Sequence, residues 1–258
     1  MRRGSSLVEL LIVLGIIALL IGLILPAVQA VRTHALEVSH CNNLKQIDLA
    51  TIHFAETNNG FLPGKYAGTP AKEALILILP YLEQSALYRA FTGNPLALLD
   101  APKSGVGMYF NPLDPSRSAI GKSSFGAGVN VRASIADNSF VFSDQPTITI
   151  PDGNSNTIFF GEHYSICGET EFLFPRYTGT YFADRYTGQA SPSMNPLPAA
   201  FQHRPRASEC DPNYAQAAGR SGLYCAMGDG SVRLFAPTVD RAVFWAAVTP
   251  AGGEASGE

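Results

Sequence analysis

The sequence predicts an α+β fold, a long N-terminal helix packed on an antiparallel β-sheet domain, and three observations predict it. A helical pattern starts at Ser5 and meets no stop before Asn58. A turn-rich stretch from Ile150 leads into the apolar run ending at Glu162. Gly222 to Phe235 reads as strand, tight turn, strand, because Asp229-Gly230 is a strong short hairpin signal. One helix that needs a packing partner and one sheet that needs a cover make two layers.

The first element is the helix. Arg2, Arg3 and Gly4 precede a run that is apolar from Leu7 to Val28, interrupted early by Glu9 and late by Pro26. Between Leu10 and Val28 there is no charge, and at a helical rise of about 1.5 Å per residue that run covers roughly the hydrocarbon thickness of a bilayer. A secretory signal peptide cleaved after Val28-Gln29-Ala30, or a plain membrane anchor, accounts for the run but not for Glu9. An acid inside a spanning segment asks for a partner. A cut after Gly4 supplies one, the new amine of Ser5, which lies four residues from Glu9. The two arginines before the span place the N-terminus in the cytoplasm and the bulk of the chain outside it.

Beyond the span Val31, Ala35, Val38, Cys41, Leu44, Ile47, Thr51 and Phe54 recur at steps of three or four, one buried stripe of a continuing helix. Asn58-Asn59-Gly60, with Pro63 beyond, is its stop signal. A helix of that extent, roughly 80 Å, implies one half in lipid and one half laid on a domain. His34, His40 and His53 lie along it at spacings that suit no metal pair, and read as solvated or packed. The expected organisation is a leader over 1–4, a transmembrane helix over 5–30, its continuation over 31–60 and a globular α+β domain over 61–258.

Within that domain Lys72 to Phe91 reads as helix, kinked or restarted at Pro80. Glycine, proline and short β-branched or aromatic runs then alternate, predicting short strands at Val106 to Phe110, Ser139 to Phe142 and Thr147 to Ile150. The strand ending at Glu162 and the Asp229-Gly230 hairpin complete the sheet.

Composition narrows the function classes. The chain has 258 residues, a net charge of -3 and 46% hydrophobic residues, so after the anchor about two hundred residues remain for one sizeable domain. There is no basic face for nucleic acid and no polybasic tract for lipid. Asp152, Asn154 and Asn156 imitate the start of an EF-hand loop, but Thr157 stands where glycine is needed and His163 where the closing glutamate is needed, so an Asx-rich turn is expected there. Glu162-His163, His203 with Asp211, and Ser221 lack a nucleophile-elbow context, and no HExxH, CxxC or phosphate-cradling loop is present. The reading is therefore a non-enzyme without cofactor or metal. Export permits disulfides.

The opening RRGSSLVELLIVLGIIALLIGLILPA resembles the prepilin-type cleavage and methylation signal of type IV pilins and type II secretion pseudopilins. Cys41-Asn42-Asn43-Leu44-Lys45-Gln46, Leu79-Pro80-Tyr81-Leu82-Glu83-Gln84, Asp152 to Thr157 with Gly161-Glu162, Gly228 to Arg233, the run Phe201 to Ala215 and the ending Thr249 to Gly253 resemble the DUF1559 family of prepilin-like bacterial proteins. The resemblance implies cleavage between Gly4 and Ser5 by a prepilin peptidase, N-methylation at Ser5, an assembly role for Glu9 and a helix kink at Pro26. It implies a membrane-anchored, pseudopilin-like subunit of a type II secretion or type IV pilus-like assembly. Such a subunit is single-pass in the cytoplasmic membrane, with its globular domain extracytoplasmic and inner-membrane lipid and other pilin-like subunits as partners. Calcium in the C-terminal loops of some pseudopilins makes Asp211 or Asp229 conceivable ligands, although hairpin chemistry accounts for Asp229.

This chain departs from the pattern at Ser5, where the family usually has phenylalanine, at Gly219-Arg220, where members often have histidine and proline, and at Asn111, where many have cysteine. If that cysteine is the usual partner of Cys41, the resemblance implies a free Cys41. Cys167, Cys210 and Cys225 then remain, allowing three single bridges; Cys210 with Cys225, tying a polar loop to the hairpin, is the favoured one, beside the alternative that all four cysteines are free thiols. The alternative function is a membrane-tethered module that binds a solute or protein outside the membrane. Glu9 separates the two, since a mere tether tolerates its loss.

Overall fold

The computed structural model describes residues 7–60, 62–63, 74–93, 106–116, 127–128, 131–133, 150, 153–168, 170–171, 173–174, 200–211 and 214–248. The chain divides into two compact units, Met1–Ser39 and His40–Glu258. Gly4, Ser5, Asp152 and the expected strands over 139–142 and 147–149 lie outside the described residues.

Helix α1 spans Leu7–Thr57 and is unbroken through Pro26. Leucine, isoleucine and alanine dominate its sequence, and its first described turn carries Glu9. It stops where expected: Asn59 takes a left-handed φ of 57° and the Gly60 amide donates to Ala55 O at 2.7 Å. In the second unit Leu44, Ile47, Thr51 and Ala55 are buried on one face of α1, the spacing a helix needs to present one stripe, but the expected stripe is shorter than its sequence pattern, since Val31, Ala35 and Val38 are exposed and Cys41 is half-buried.

The expected helix over Lys72 to Phe91 is three pieces: α2, Ala74–Leu77, a 3-10 turn over Leu79–Leu82, and α3, Ser85–Gly93. Pro80 sits at the start of the 3-10 turn, and Glu83 in the left-handed region (φ 61°) ends it. The proline thus begins a new element rather than bending an old one. The strand expected at Val106 to Phe110 is instead a 3-10 turn, Gly107–Tyr109. Its aromatic residue is an anchor: Tyr109 is fully buried and its hydroxyl donates to Leu75 O at 2.6 Å, with burial holding that phenol well above its ordinary pKa.

Among the described residues ten short strands follow: β1 Ala127–Gly128, β2 Val131–Ala133, β3 Ile158–Glu162, β4 Ile166–Cys167, β5 Thr170–Glu171, β6 Leu173–Phe174, β7 Gln202–His203, β8 Gln216–Ala217, β9 Leu223–Met227 and β10 Val232–Phe235. Four of them form an antiparallel sheet in the order β10-β9-β3-β2. The register of β3 on β9 slips between Ile158 and Phe160. Beside this bulge Gly228 is obligatory, because a Cβ there would stand 2.5 Å from the Phe159 ring.

Alternation along β9 builds two cores, as a two-sided strand must. Tyr224 and Ala226 join Leu44, Ile47, Ala50, Leu79 and Phe160 beneath α1. Leu223, Cys225 and Met227 join Ile158, Phe201, Ala217, Phe244 and Val248 on the opposite side. Phe244 and Val248 belong to a closing helix, α4, Arg241–Val248. It starts at Asp240, whose Oδ1 accepts the Ala242 amide at 2.8 Å. The β7–β8 pair is parallel, a departure from the all-antiparallel expectation. Side chains brace the loop between them: Gln202 Oε1 accepts the Asp211 amide at 2.8 Å, and Gln216 Nε2 donates to Asp211 O at 2.7 Å.

Candidate functional site

Two regions gather the candidate residues, the N-terminal part of α1 and a polar centre buried in the second unit. In the first, Leu7, Val8, Leu10 to Leu14, Ile16, Ile17, Leu19 to Ile21, Leu23 to Leu25 and Val28 are all exposed. Side chains point from a helix in every direction, so a single stripe against a core cannot account for that coverage. The helix is long and apolar enough to cross a membrane, and near enough to the N-terminus to be a signal sequence. Glu9 is the acid of its first described turn, and Pro26, lacking an N–H, gives the Gly22 carbonyl no i+4 donor.

The polar centre is organised by Glu162, at the end of β3 and only 1% exposed. Its Oε1 accepts the Tyr224 amide at 2.9 Å, and its Oε2 accepts the Asn111 side-chain amide. His40 of α1, fully buried, places Nε2 at 3.2 Å from the same Oε2, outside hydrogen-bond geometry, and meets the Tyr224 ring edge-on with centroids 6.4 Å apart. Asn111 Oδ1 in turn accepts the Leu113 amide at 2.9 Å. One carboxylate therefore ties together α1, the 106–116 segment, β3 and β9. An unsatisfied buried carboxylate would be costly, which is why these partners surround it.

A second acid continues the same seam. Asp114 Oδ2 accepts the Ser165 amide at 2.9 Å, and Ser116, bound to Asp114 at 2.7 Å, accepts the Ile166 amide at 3.0 Å. Both acids lock the 106–116 segment against the end of β3. His163 turns its Nδ1 to Tyr164 O at 2.7 Å, and His203 lies 3.2 Å from Arg220 O, so each histidine meets a main-chain carbonyl. Of the other histidines on α1, His34 is exposed 3.4 Å from Glu37, and His53 is exposed. The turn imitating an EF-hand is a 3-10 turn over Asn154–Asn156 closed by main-chain bonds and by Thr157 Oγ1 on Gly153 O at 3.1 Å. Among the described residues no group of three His, Cys, Asp or Glu could hold a metal ion.

The favoured disulfide is corrected. Cys210 pairs with Cys167, with Cα atoms 5.2 Å apart, while Cys41 and Cys225 are free thiols. The strand pleat explains the difference. It directs Cys225 into the apolar core with Leu223 and Met227, where burial pushes its thiol pKa up, whereas Cys210 packs with Tyr164 and Cys167. Along the segment Phe201 to Arg220, Phe201, Cys210, Ala215 and Ala217 are buried, and among its described residues the exposed run is 203–209, broken at Pro205. The bridge spans a sequence separation of 43. By loop entropy Cys210→Ser is expected to cost about 3–4 kcal/mol, read as a lowered thermal midpoint that reductant reproduces in the unmodified chain. Cys225→Ser, by contrast, leaves the 167–210 crosslinked peptide intact in a non-reducing digest.

Asp48 completes the inventory. It lies on the buried face of α1, is fully buried, and neither carboxylate oxygen has a hydrogen-bond partner. Burial above all, with a smaller push from the Asp229 charge, raises its pKa to about 8, and the Gly230 amide, which also donates to Met227 O, offsets this only in part. The sequence carried a signal for it, an acid four residues after Leu44 and three before Thr51 on the predicted stripe. The meeting of His40, Asn111 and Glu162 had no such signal, since it depends on a chain path that periodicity does not encode.

Compared with family models, with curated proteins and with solved structures, the chain matches none of them.

Proposed function

We propose that the chain is a membrane-anchored, pseudopilin-like structural subunit of the DUF1559 type, cut after Gly4, in a type II secretion or type IV pilus-like envelope assembly. The observation that carries this reading is the all-round apolar exposure of α1 from Leu7 to Val28 with a single carboxylate, Glu9, at its start. Lipid or neighbouring copies of such a helix are the surroundings that bury it, and a carboxylate in either needs a cation. Cutting after Gly4 would create that cation on Ser5, available to Glu9 of the same helix or of a neighbour. The Cys167–Cys210 bridge supports an oxidising, extracytoplasmic site for the domain.

The deciding experiment is intact mass and N-terminal peptide analysis of the protein purified from membranes of cells that contain a prepilin peptidase. The expected product begins at Ser5. A product beginning at Val31 would mean that a signal peptidase discards the helix, and an uncut chain would leave only a tether. Gly4→Glu is expected to abolish processing and leave the full precursor mass. Glu9→Leu is expected to be cut normally yet to lose at least tenfold in co-purification with other pilin-like subunits. Normal recovery of that variant would favour the tethered binding module.

A further inference from the structure

The hairpin turn between β9 and β10 seats directly on α1. The Met227 amide donates to Ser231 O at 2.8 Å and the Gly230 amide to Met227 O at 3.1 Å, closing the turn. Gly230 has a φ of 87°, and a Cβ added to it would lie 3.5 Å from Leu49 Cδ2 and 3.7 Å from Ile52 Cδ1, both on α1. Beneath the turn three buried oxygens lack hydrogen-bond partners, Asp48 Oδ1, Asp48 Oδ2 and Ser231 Oγ. Asp229, at the tip, points its Oδ1 to the Ser231 amide at 2.9 Å.

A buried carboxylate with no donor in good hydrogen-bond geometry, and only the Gly230 amide nearby to offset its charge, cannot be held ionised in such a place without a large cost, whereas the neutral acid fits. A hard cation is the other way to neutralise it, but calcium takes six to eight oxygens and the described residues offer no group of three metal-binding side chains. We propose that Asp48 is a proton-operated latch: its neutral form lets the Gly228–Ser231 turn lie on α1, and loss of its proton lifts the turn and loosens the β9–β10 hairpin from the helix.

The charges that bear on this group are few. Asp229 of the turn repels a charged Asp48. Arg233 of β10 acts on Asp229, which together with Ser231 keeps that exposed carboxyl below its ordinary pKa despite some burial. Lys45, one turn earlier on α1, is exposed. No positive charge among those acting on Asp48 holds its ionised form in place. The latch is therefore closed in acid and opens with rising pH, and it stands independently of the membrane assignment.

The test is amide hydrogen exchange of the full chain in detergent micelles, expressed as protection factors from pH 5 to 9. Protection of the Gly230, Ser231 and Val232 amides is expected to fall at least tenfold across that range in the unmodified chain and to stay level in Asp48→Asn. In Asp229→Asn the fall is expected to level off at lower pH and to be smaller, because without the repelling charge Asp48 gives up its proton more readily. Level protection in the unmodified chain, or the same fall in Asp48→Asn, would overturn the proposal. Should Asp48→Asn not fold, the carboxyl carbon-13 shift of Asp48 in the unmodified chain decides: protonated at pH 6.5 upholds the latch, ionised at pH 6.5 overturns it. Calcium that restores protection at pH 9 in the unmodified chain alone would also overturn it, by assigning the neutralising charge to a metal.

Discussion

Glu162→Ala is expected to cost the domain about 3–5 kcal/mol, the range for removing one member of a buried charged cluster. The loss is larger than that of a surface ion pair because three groups are stranded at once. The Tyr224 amide loses its acceptor at 2.9 Å, the Asn111 amide loses its own, and His40 is left fully buried beside a void. Each unsatisfied donor costs about 1–3 kcal/mol, and the missing side chain adds a cavity term. Glu162→Gln keeps one acceptor for the Tyr224 amide but turns an NH2 towards Asn111 or His40, so it is expected to fall between the two. Denaturant midpoints of the full chain in mild detergent measure this. A loss below about 1 kcal/mol for Glu162→Ala would show that the four segments do not depend on the carboxylate.

Asp48→Asn is expected to stabilise the protein, increasingly so as pH rises. The sign follows from linkage. The folded-state pKa of Asp48, about 8, lies above the ordinary carboxyl value of 3.8. Between those limits the unfolded chain has released a proton that the folded chain retains. Stability attributable to the group is thus complete below about pH 4 and declines by about 1.4 kcal/mol per pH unit until about pH 8, where it levels off. Asparagine has the shape of the neutral acid and no proton to lose. The variant should therefore match the unmodified chain near pH 4 and exceed it by on the order of 5 kcal/mol at pH 8. Thermal melts of both proteins from pH 4 to 9 test it, and parallel curves would sink the assignment.

What could be read before the structure was what repeats or punctuates. The lower α1 stripe from Leu44 to Thr51, the Asn58-Asn59-Gly60 stop and the Asp229-Gly230 hairpin are local patterns that appear where the residues place them, whereas Val31, Ala35 and Val38, at the same helical spacing, are exposed, because periodicity does not say where along a helix its cover begins. The 106–110 segment was misread because alternating apolar residues look the same whether they line a sheet or anchor a 3-10 turn, and Tyr109 anchors one. α4 is only eight residues long and its main signal is a single capping aspartate, Asp240. The cysteine pairing depended on which way β9 turned its odd-numbered residues, a matter of register that spacing does not determine. Glu162 and Asn111 both stood out in the sequence, one in a motif and one as a departure from it, yet only the folded chain shows that they meet.

The seam at Glu162 also sets a timetable for biosynthesis. The lower half of α1 leaves the ribosome early, but the strand that covers it, with the Tyr224 amide that completes the seam, is among the last segments made. At 5–20 residues per second the helix waits roughly 10–30 s for its cover. During that interval the face of Leu44, Ile47 and Ala50 lacks its β9 cover, and a premature stop anywhere before β9 yields a chain that never closes its domain.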